Sequence, residues 1–269
     1  MSVEPRSVPQ DGHGRLGRVL SGLAVAVGCV LFLGGFGLGA LLYQPFTVPT
    51  DSMTPTLAVG SKILAARVDG ADVKRGDIVV FQDVQWGNVT MVKRVVGVGG
   101  DTVACCGAGG RLTVNGTPVD EPYLRDAGKA VGTADGQPGS AGAAAPGAEF
   151  SAKVPDGSLF LLGDDRHTSM DSRAHLQEAG HGAVPRGAVI GRVDAVAWPA
   201  PGALDRPAAF AALPGGTSQP GPVVPLVSAI VAGCVLILAG AAYGPLVRRG
   251  GRKKTTGSAA GTAKGRVNA

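Results

Sequence analysis

Aromatic side chains make up only 4% of this 269-residue chain, against 44 glycines and 19 prolines. So few rings, with so many turn formers, disfavour a helix-rich enzyme and suit short strands, turns and membrane segments. Acidic residues are missing from 248–269, which holds seven basic ones, and residues 1–18 carry three basic and two acidic side chains. Taking those from the totals of 25 basic and 20 acidic leaves 15 against 18 in between. The net charge of +5 therefore sits in the tails. That is a membrane-topology pattern and not a nucleic-acid-binding face.

Two stretches have no charge at all, 19–42 and 223–247. At ~1.5 Å per helical residue each is long enough to cross a bilayer core of ~30 Å. The first exceeds a signal-peptide h-region of about 7–15 residues, and it ends Leu41-Leu42-Tyr43-Gln44-Pro45 without an Ala-x-Ala site, so it reads as an uncleaved anchor. Arg6, Arg15 and Arg18 precede the first run, and Arg248, Arg249, Arg252, Lys253 and Lys254 follow the second. By the positive-inside rule, both termini are expected in the cytoplasm and residues 43 to about 222 outside.

Between the anchors no long segment has a 3.6-residue period. The segments 62–67, 77–81, 89–98, 112–114, 158–162 and 189–196 are short, β-branched and bounded by Gly, Pro and Asp, which predicts a mostly β domain. The expected organisation is a cytoplasmic tail (1–18), a transmembrane helix (19–42), and an extracytoplasmic β-rich domain (43–198) with a flexible Ala/Gly/Pro-rich insertion at about 127–149. A Pro-rich linker (199–222), a second transmembrane helix (223–247) and a basic cytoplasmic tail (248–269) complete it.

Histidine is scarce: His13, His167, His175 and His181. His13 falls on the expected cytoplasmic side, and the other three lie in a Gly-rich polar stretch without a short metal-binding spacing. Neither a metal site nor a His-based triad is expected. Just beyond the first anchor comes Val48-Pro49-Thr50-Asp51-Ser52-Met53-Thr54-Pro55-Thr56-Leu57, a loop in which Met53 can bury and hold Ser52. Alone, such a serine is ordinarily part of a turn. Lysine is the alternative base, and Lys93 lies in Met91-Val92-Lys93-Arg94-Val95-Val96-Gly97. In a strand Met91, Lys93 and Val95 share one face; if that face is buried, the amine is driven toward its neutral, proton-accepting form. Read by itself, the segment also fits an exposed edge-strand lysine. A third element, Gly163-Asp164-Asp165-Arg166-His167-Thr168-Ser169-Met170-Asp171-Ser172-Arg173, packs charges and hydroxyls behind an apolar strand; it suits a site-shaping loop, and equally a solvated turn or weak cation site.

Taken in order, the Ser52 loop, Arg75-Gly76-Asp77-Ile78-Val79-Val80-Phe81, Lys93-Arg94-Val95-Val96-Gly97 with Gly100-Asp101, and Gly163-Asp164-Asp165-Arg166 with Ser169-x-Asp171-Ser172-Arg173 resemble the successive motifs of type I bacterial signal peptidases. The resemblance spans about residues 36–198. It implies a membrane-bound serine endopeptidase that removes N-terminal signal peptides from exported preproteins after an Ala-x-Ala-like site. It implies Ser52 as nucleophile, Lys93 as general base, Thr50 at the oxyanion hole beside the Ser52 N–H, and Ser169 orienting the lysine amine. Asp171 and Arg173, with Gly163 and Asp164, fall at supporting positions. No cofactor or metal is implied; the partners are preproteins and the lipid bilayer. Here Gly99-Gly100-Asp101 stands where the family often has Pro-Gly-Asp, and Asp165 where Asn is common.

Cytosolic self-cleaving repressors share a serine–lysine dyad but not two anchors, and an inactive scaffold would be expected to have lost Ser52, Lys93 or Ser169. Cys29 and Cys234 fall in the membrane runs and are expected simply to pack. The adjacent Cys105 and Cys106 fall outside, where a bond between neighbours, two thiols or another partner all fit; no catalytic role is assigned to them.

Overall fold

The computed structural model describes residues 12–107, 110–124 and 149–255. Nearly all of the expected insertion at 127–149 and most of both expected tails lie outside them. Two compact units emerge, Ala40–Val223 and a unit built on the terminal segments.

The terminal unit consists of α1 (Gly12–Leu42) and a second helix, Val223–Thr255. Within them, Gly17–Leu42 and Val223–Tyr243 are long and apolar enough to cross a membrane. The two helices run antiparallel along a seam of small residues. The Ser21 Oγ donates to the Gly240 carbonyl at 2.8 Å. A methyl group at Gly28 would stand 2.8 Å from the Gly233 carbonyl oxygen, and one at Gly35 3.4 Å from that of Leu226. From Ser21 to Gly28 to Gly35, and from Gly240 to Gly233 to Leu226, each step is one heptad, the period that keeps a contact stripe in register. Glycine there lets backbones approach closely, which is how apolar helices gain contact where lipid is as apolar as leucine.

Unit Ala40–Val223 is β-rich. Its main sheet contains β1 (Tyr43–Thr47), β2 (Lys62–Ala66), β3 (Ile78–Gln82), β4 (Thr90–Val98), β9 (Ser158–Leu162), β10 (Ala183–Pro185) and β11 (Val189–Trp198). The order is β1-β2-β11-β3-β4-β9-β10, with the short β12 (Gly202–Ala203) paired to β11. A smaller sheet, in the order β7-β6-β5-β8, is made by β5 (Thr102–Cys105), β6 (Thr113–Val114), β7 (Thr117–Pro118) and β8 (Phe150–Lys153). The strands expected at 62–67, 77–81, 89–98, 158–162 and 189–196 appear within a residue or two of those bounds. Strand β1 follows α1 directly and carries Pro45, which an edge strand tolerates because one row of its N–H groups needs no partner.

Three buried clusters fill the domain. Met53, Leu57, Val48, Ile63, Ile78, Val80 and Val193 form the one under the Ser52 loop. Val79, Phe81, Trp86, Val95 and Leu161 form a second. Val96, Val103, Leu112, Phe160, Leu162 and Phe210 form a third, joining the two sheets. Cys105 and Cys106 are disulfide-bonded to each other, while Cys29 and Cys234 are free thiols.

The Pro-rich stretch 199–222 connects β11 to the second long helix by lying on the domain. After β12 it forms a short helix α2 (Ala208–Ala211), and it inserts Phe210, fully buried, into the third cluster.

Candidate active site

Ser52 sits in the loop after β1, pinned from below by the fully buried Met53 and Leu57. The loop closes on itself, with Leu57 N–H donating to the Met53 carbonyl and Val48 N–H to the Ser61 carbonyl, both at 2.9 Å. Two apolar anchors flanking a serine explain why this Pro/Thr-rich stretch holds a fixed shape: burying each side chain supplies about 1.5–3 kcal/mol toward ordering it.

Lys93 comes from the middle of β4, which is paired on both sides, Val79 facing Lys93 on β3 and Leu161 facing Val95 on β9. Both faces of β4 are covered, and Lys93 is only 4% exposed. Its Nζ donates to Ser52 Oγ at 2.7 Å, and Thr50 Oγ1 lies 3.2 Å from the same oxygen. Burial lowers the amine's pKa from the ordinary 10.5, against the opposing pull of Asp171, Asp164 and Asp51. Burial of this kind disfavours the charged form of an amine.

Arg94, the next residue, has the opposite fate. It donates through Nε and Nη2 to both carboxylate oxygens of Asp164, at 2.8 and 2.7 Å, and through Nη1 to the Gly76 carbonyl. Burial pulls against its charge, but Asp164 more than offsets this and raises the pKa. Tyr123 covers the guanidinium, its ring centroid 4.0 Å away. Asp164 also accepts from Thr56 Oγ1, tying the Ser52 loop to the loop after β9. A second tie is the Asp165 N–H donating to the Ser52 carbonyl at 3.0 Å.

Asp171, fully buried, accepts from Arg173 Nε at 2.9 Å and Nη2 at 2.8 Å and from the Gly163 N–H at 3.1 Å. Gly163 is required where it stands, since a methyl group would lie 2.1 Å from Ser169 Oγ and 2.5 Å from the Ser52 carbonyl oxygen. Ser169 Oγ is buried and has no hydrogen-bond partner in the structure. Among the described residues no group of His, Cys, Asp and Glu is arranged to hold a metal ion.

Sequence reading did not single out Glu121 or Tyr123. Glu121 is buried and takes both Arg166 Nη1 and Nη2, and Tyr123 donates to it. The only local signal was an acidic residue beside a proline in Val119-Asp120-Glu121-Pro122-Tyr123, which ordinarily marks an exposed turn.

The chain is 32% identical over 197 residues to a signal peptidase I of Pseudomonas fluorescens, covering 61% of this chain and 68% of that one. It is 37% identical over 139 residues to a signal peptidase I of Bacillus licheniformis, covering 51% and 69%. A crystal structure of a signal peptidase I from Enterococcus faecalis V583 matches with a TM-score of 0.33 and 27% identity, over 44% of this chain and 94% of that one. The family model described as signal peptidase, peptidase S26, matches residues 19–198. That span takes in the Ser52 loop, the Lys93 strand and the loop after β9, and the chain belongs to the signal peptidase family, peptidase S26.

Proposed function

We propose that this chain is a membrane-bound serine endopeptidase that removes N-terminal signal peptides from exported preproteins after an Ala-x-Ala-like site, with Ser52 as nucleophile and Lys93 as general base. The observation that carries the reading is the 2.7 Å hydrogen bond between Lys93 Nζ and Ser52 Oγ, in a site where burial lowers the amine's pKa.

In this reading the neutral Lys93 amine takes the Ser52 Oγ proton as the oxygen attacks the scissile carbonyl. The negative charge on the carbonyl oxygen is held by the Ser52 N–H and the Thr50 hydroxyl. As the tetrahedral intermediate collapses, the Lys93 ammonium returns its proton to the departing amine, which is the new N-terminus of the mature protein. A water molecule then gives its proton to Lys93 and attacks the acyl-enzyme ester, and the signal peptide leaves with a free carboxylate while Ser52 regains its proton. Ser169 Oγ, buried and without a hydrogen-bond partner in the structure, is the hydroxyl that this reading assigns to orienting the Lys93 amine. Asp171 and Arg173 hold the loop that carries it.

The two apolar helices anchor the enzyme in the cytoplasmic membrane, with both termini in the cytoplasm and the β-rich domain on the outer face. Ser52 follows α1 by only about ten residues, a short tether that suits an enzyme meeting signal peptides at the lipid surface. An extended substrate adding to the domain as a strand would present alternate side chains to small apolar pockets, which suits alanine at two positions.

The test is purified full-length protein in detergent, mixed with a preprotein carrying an Ala-x-Ala site, beside the Ser52→Ala variant, with products located by mass spectrometry. A single cut after the second alanine, absent in the variant, is expected. No cut by the folded, unaltered protein would overturn the reading.

A further inference from the structure

The stretch 199–222 lies beyond the span that matches the family, yet it supplies a cation to two buried carboxylates inside that span. Arg206 Nε lies 3.0 Å from Asp77 and its Nη2 2.5 Å from Asp194. Asp77, fully buried at the foot of β3, also accepts from Ser218 Oγ at 2.5 Å and from the Lys74 N–H at 2.9 Å. Asp194, on β11, also accepts from Arg192 and from the Tyr43 hydroxyl. Farther along, the Pro214 carbonyl accepts from Arg75 Nη1 at 2.6 Å, and Phe210 packs against Gly76. A merely connecting segment would not bury an arginine between two aspartates, because desolvating three charges is costly unless each is matched.

The clamp leads to the proposed dyad through backbone. The Val95 N–H donates to the Asp77 carbonyl and the Gly76 N–H to the Val95 carbonyl, both at 2.8 Å, and the Gly76 carbonyl accepts from Arg94. The place where Arg206 fixes β3 is thus the place where β3 grips β4, two residues from Lys93. Burial raises the Asp77 pKa, and Lys74 N–H, Ser218, Arg206 and Arg192 oppose it. Without Arg206, Asp77 would be under pressure to protonate or to move toward water.

We propose that Arg206 is a positioning residue: the strap 199–222, through its clamp on Asp77 and Asp194, holds β4 so that Lys93 meets Ser52 in a dry site. The proposal rests on the Ser52–Lys93 reading given above. The charged groups facing the clamp are Asp77, Asp194 and Arg192, with the neutral Tyr43 hydroxyl beside them; those facing the Lys93 amine are Asp171, Asp164 and Asp51.

The experiment uses the full-length protein in detergent and compares it with Arg206→Met and Arg206→Lys, at temperatures where circular dichroism shows each folded. For Arg206→Met, kcat on a preprotein is expected to fall about tenfold or more, with KM little changed. The acid limb of its kcat profile is expected to move to higher pH, as water reaches Lys93 and its amine becomes harder to deprotonate. Arg206→Lys, which keeps the charge, is expected to recover part of the rate. A folded Arg206→Met with unchanged kcat and acid limb would overturn the proposal. Should Arg206→Met not fold, Ser218→Ala removes one hydrogen bond to Asp77 and is expected to shift both quantities the same way by less; no shift there overturns it too. Hydrogen exchange separates this from the wider reading. If the unaltered protein cleaves nothing, the functional reading fails, while faster exchange at the Val95 amide in Arg206→Met still supports the clamp and unchanged exchange refutes it.

Discussion

Lys93 and Arg94 are consecutive cations on one strand, and their surroundings treat them in opposite ways: Arg94 is held charged by both oxygens of Asp164, while Lys93 reaches the Ser52 hydroxyl and is pushed toward neutrality by burial. Arginine cannot serve as the base because its guanidinium stays protonated, whereas a buried lysine gives up its proton readily. Order within the pair therefore matters, and exchanging the two residues would place a permanent cation at the serine.

Removing either member of the proposed dyad should stop the reaction without unfolding the domain. For Ser52→Ala and Lys93→Ala, turnover is expected to fall on the order of 10³-fold or more, since the members of such a unit act together. The check is single-turnover cleavage of a preprotein, with far-ultraviolet circular dichroism unchanged. Near-normal activity in either variant would sink the assignment.

The depressed lysine pKa also makes a stability prediction. Its value in the folded protein lies below the ordinary 10.5, so the unfolded chain binds that proton more readily and stability rises with pH between the two values. Below the folded value the full cost of burying the charge applies, and above 10.5 it vanishes. Lys93→Met is therefore expected to melt higher than the unaltered protein at neutral and acidic pH, with the gain shrinking as pH approaches the ordinary lysine value. A gain independent of pH would show that packing, not charge, is responsible. The same pKa predicts that activity falls on the acidic side, and a flat rate profile down to about pH 5 would count against a lysine base.

Asp164→Ala leaves Arg94 buried without its carboxylate and frees Thr56 from the loop after β9. A loss of about 3–5 kcal/mol is expected from denaturant unfolding, the usual cost of stranding one half of a buried pair. A loss below about 1 kcal/mol would mean that the pair is solvated like a surface one.

Gly163→Ala drives a methyl group into Ser169 and the Ser52 carbonyl. A misplacement of about 1 Å at the serine is expected to lower kcat about 10²-fold with modest loss of stability. Equal losses in rate at Gly163→Ala and at Gly187→Ala, where nothing stands within 4 Å of the added carbon, would refute the steric explanation.

On the helix seam, Gly28→Leu or Gly233→Leu is expected to cost about 1–3 kcal/mol of pairing between α1 and the second long helix. The measurement is disulfide cross-linking of a Ser21→Cys/Gly240→Cys pair, which should form readily in the parent and poorly with either leucine. Equal yields would mean that the seam tolerates bulk.

Much of this arrangement could be read from residue order. The apolar runs, most strands of the main sheet, and the Ser52 and Lys93 segments carry short-range signals: absence of charge, β-branching, and prolines around a hydroxyl. What could not be read was pairing across long stretches of chain. Arg75 meets Asp101, Glu121 meets Arg166, and Asp77 meets Arg206; the motifs mark Arg75, Asp77, Asp101 and Arg166 but not their partners, and nothing near Glu121 or Arg206 distinguishes it from a solvated surface charge. Strand β8 was similarly silent, because a short strand paired across a long stretch of chain leaves no local pattern. The Pro-rich composition of 199–222 suggested a spacer, and only burial of Phe210 and Arg206 reveals what it grips.

The Tyr43 hydroxyl bonds Asp194 and stands 2.4 Å from where a methyl group on Gly221 would be. Tyr43 opens the β-rich domain and Gly221 all but ends it, so the first and last residues of the domain's path lie side by side. A domain closed in this way can be cut out of its parent chain with only a short bridge across the gap. It can equally be reopened at a surface turn and given new ends there, or spliced as a whole into the loop of an unrelated soluble carrier, without stretching a single strand of either sheet.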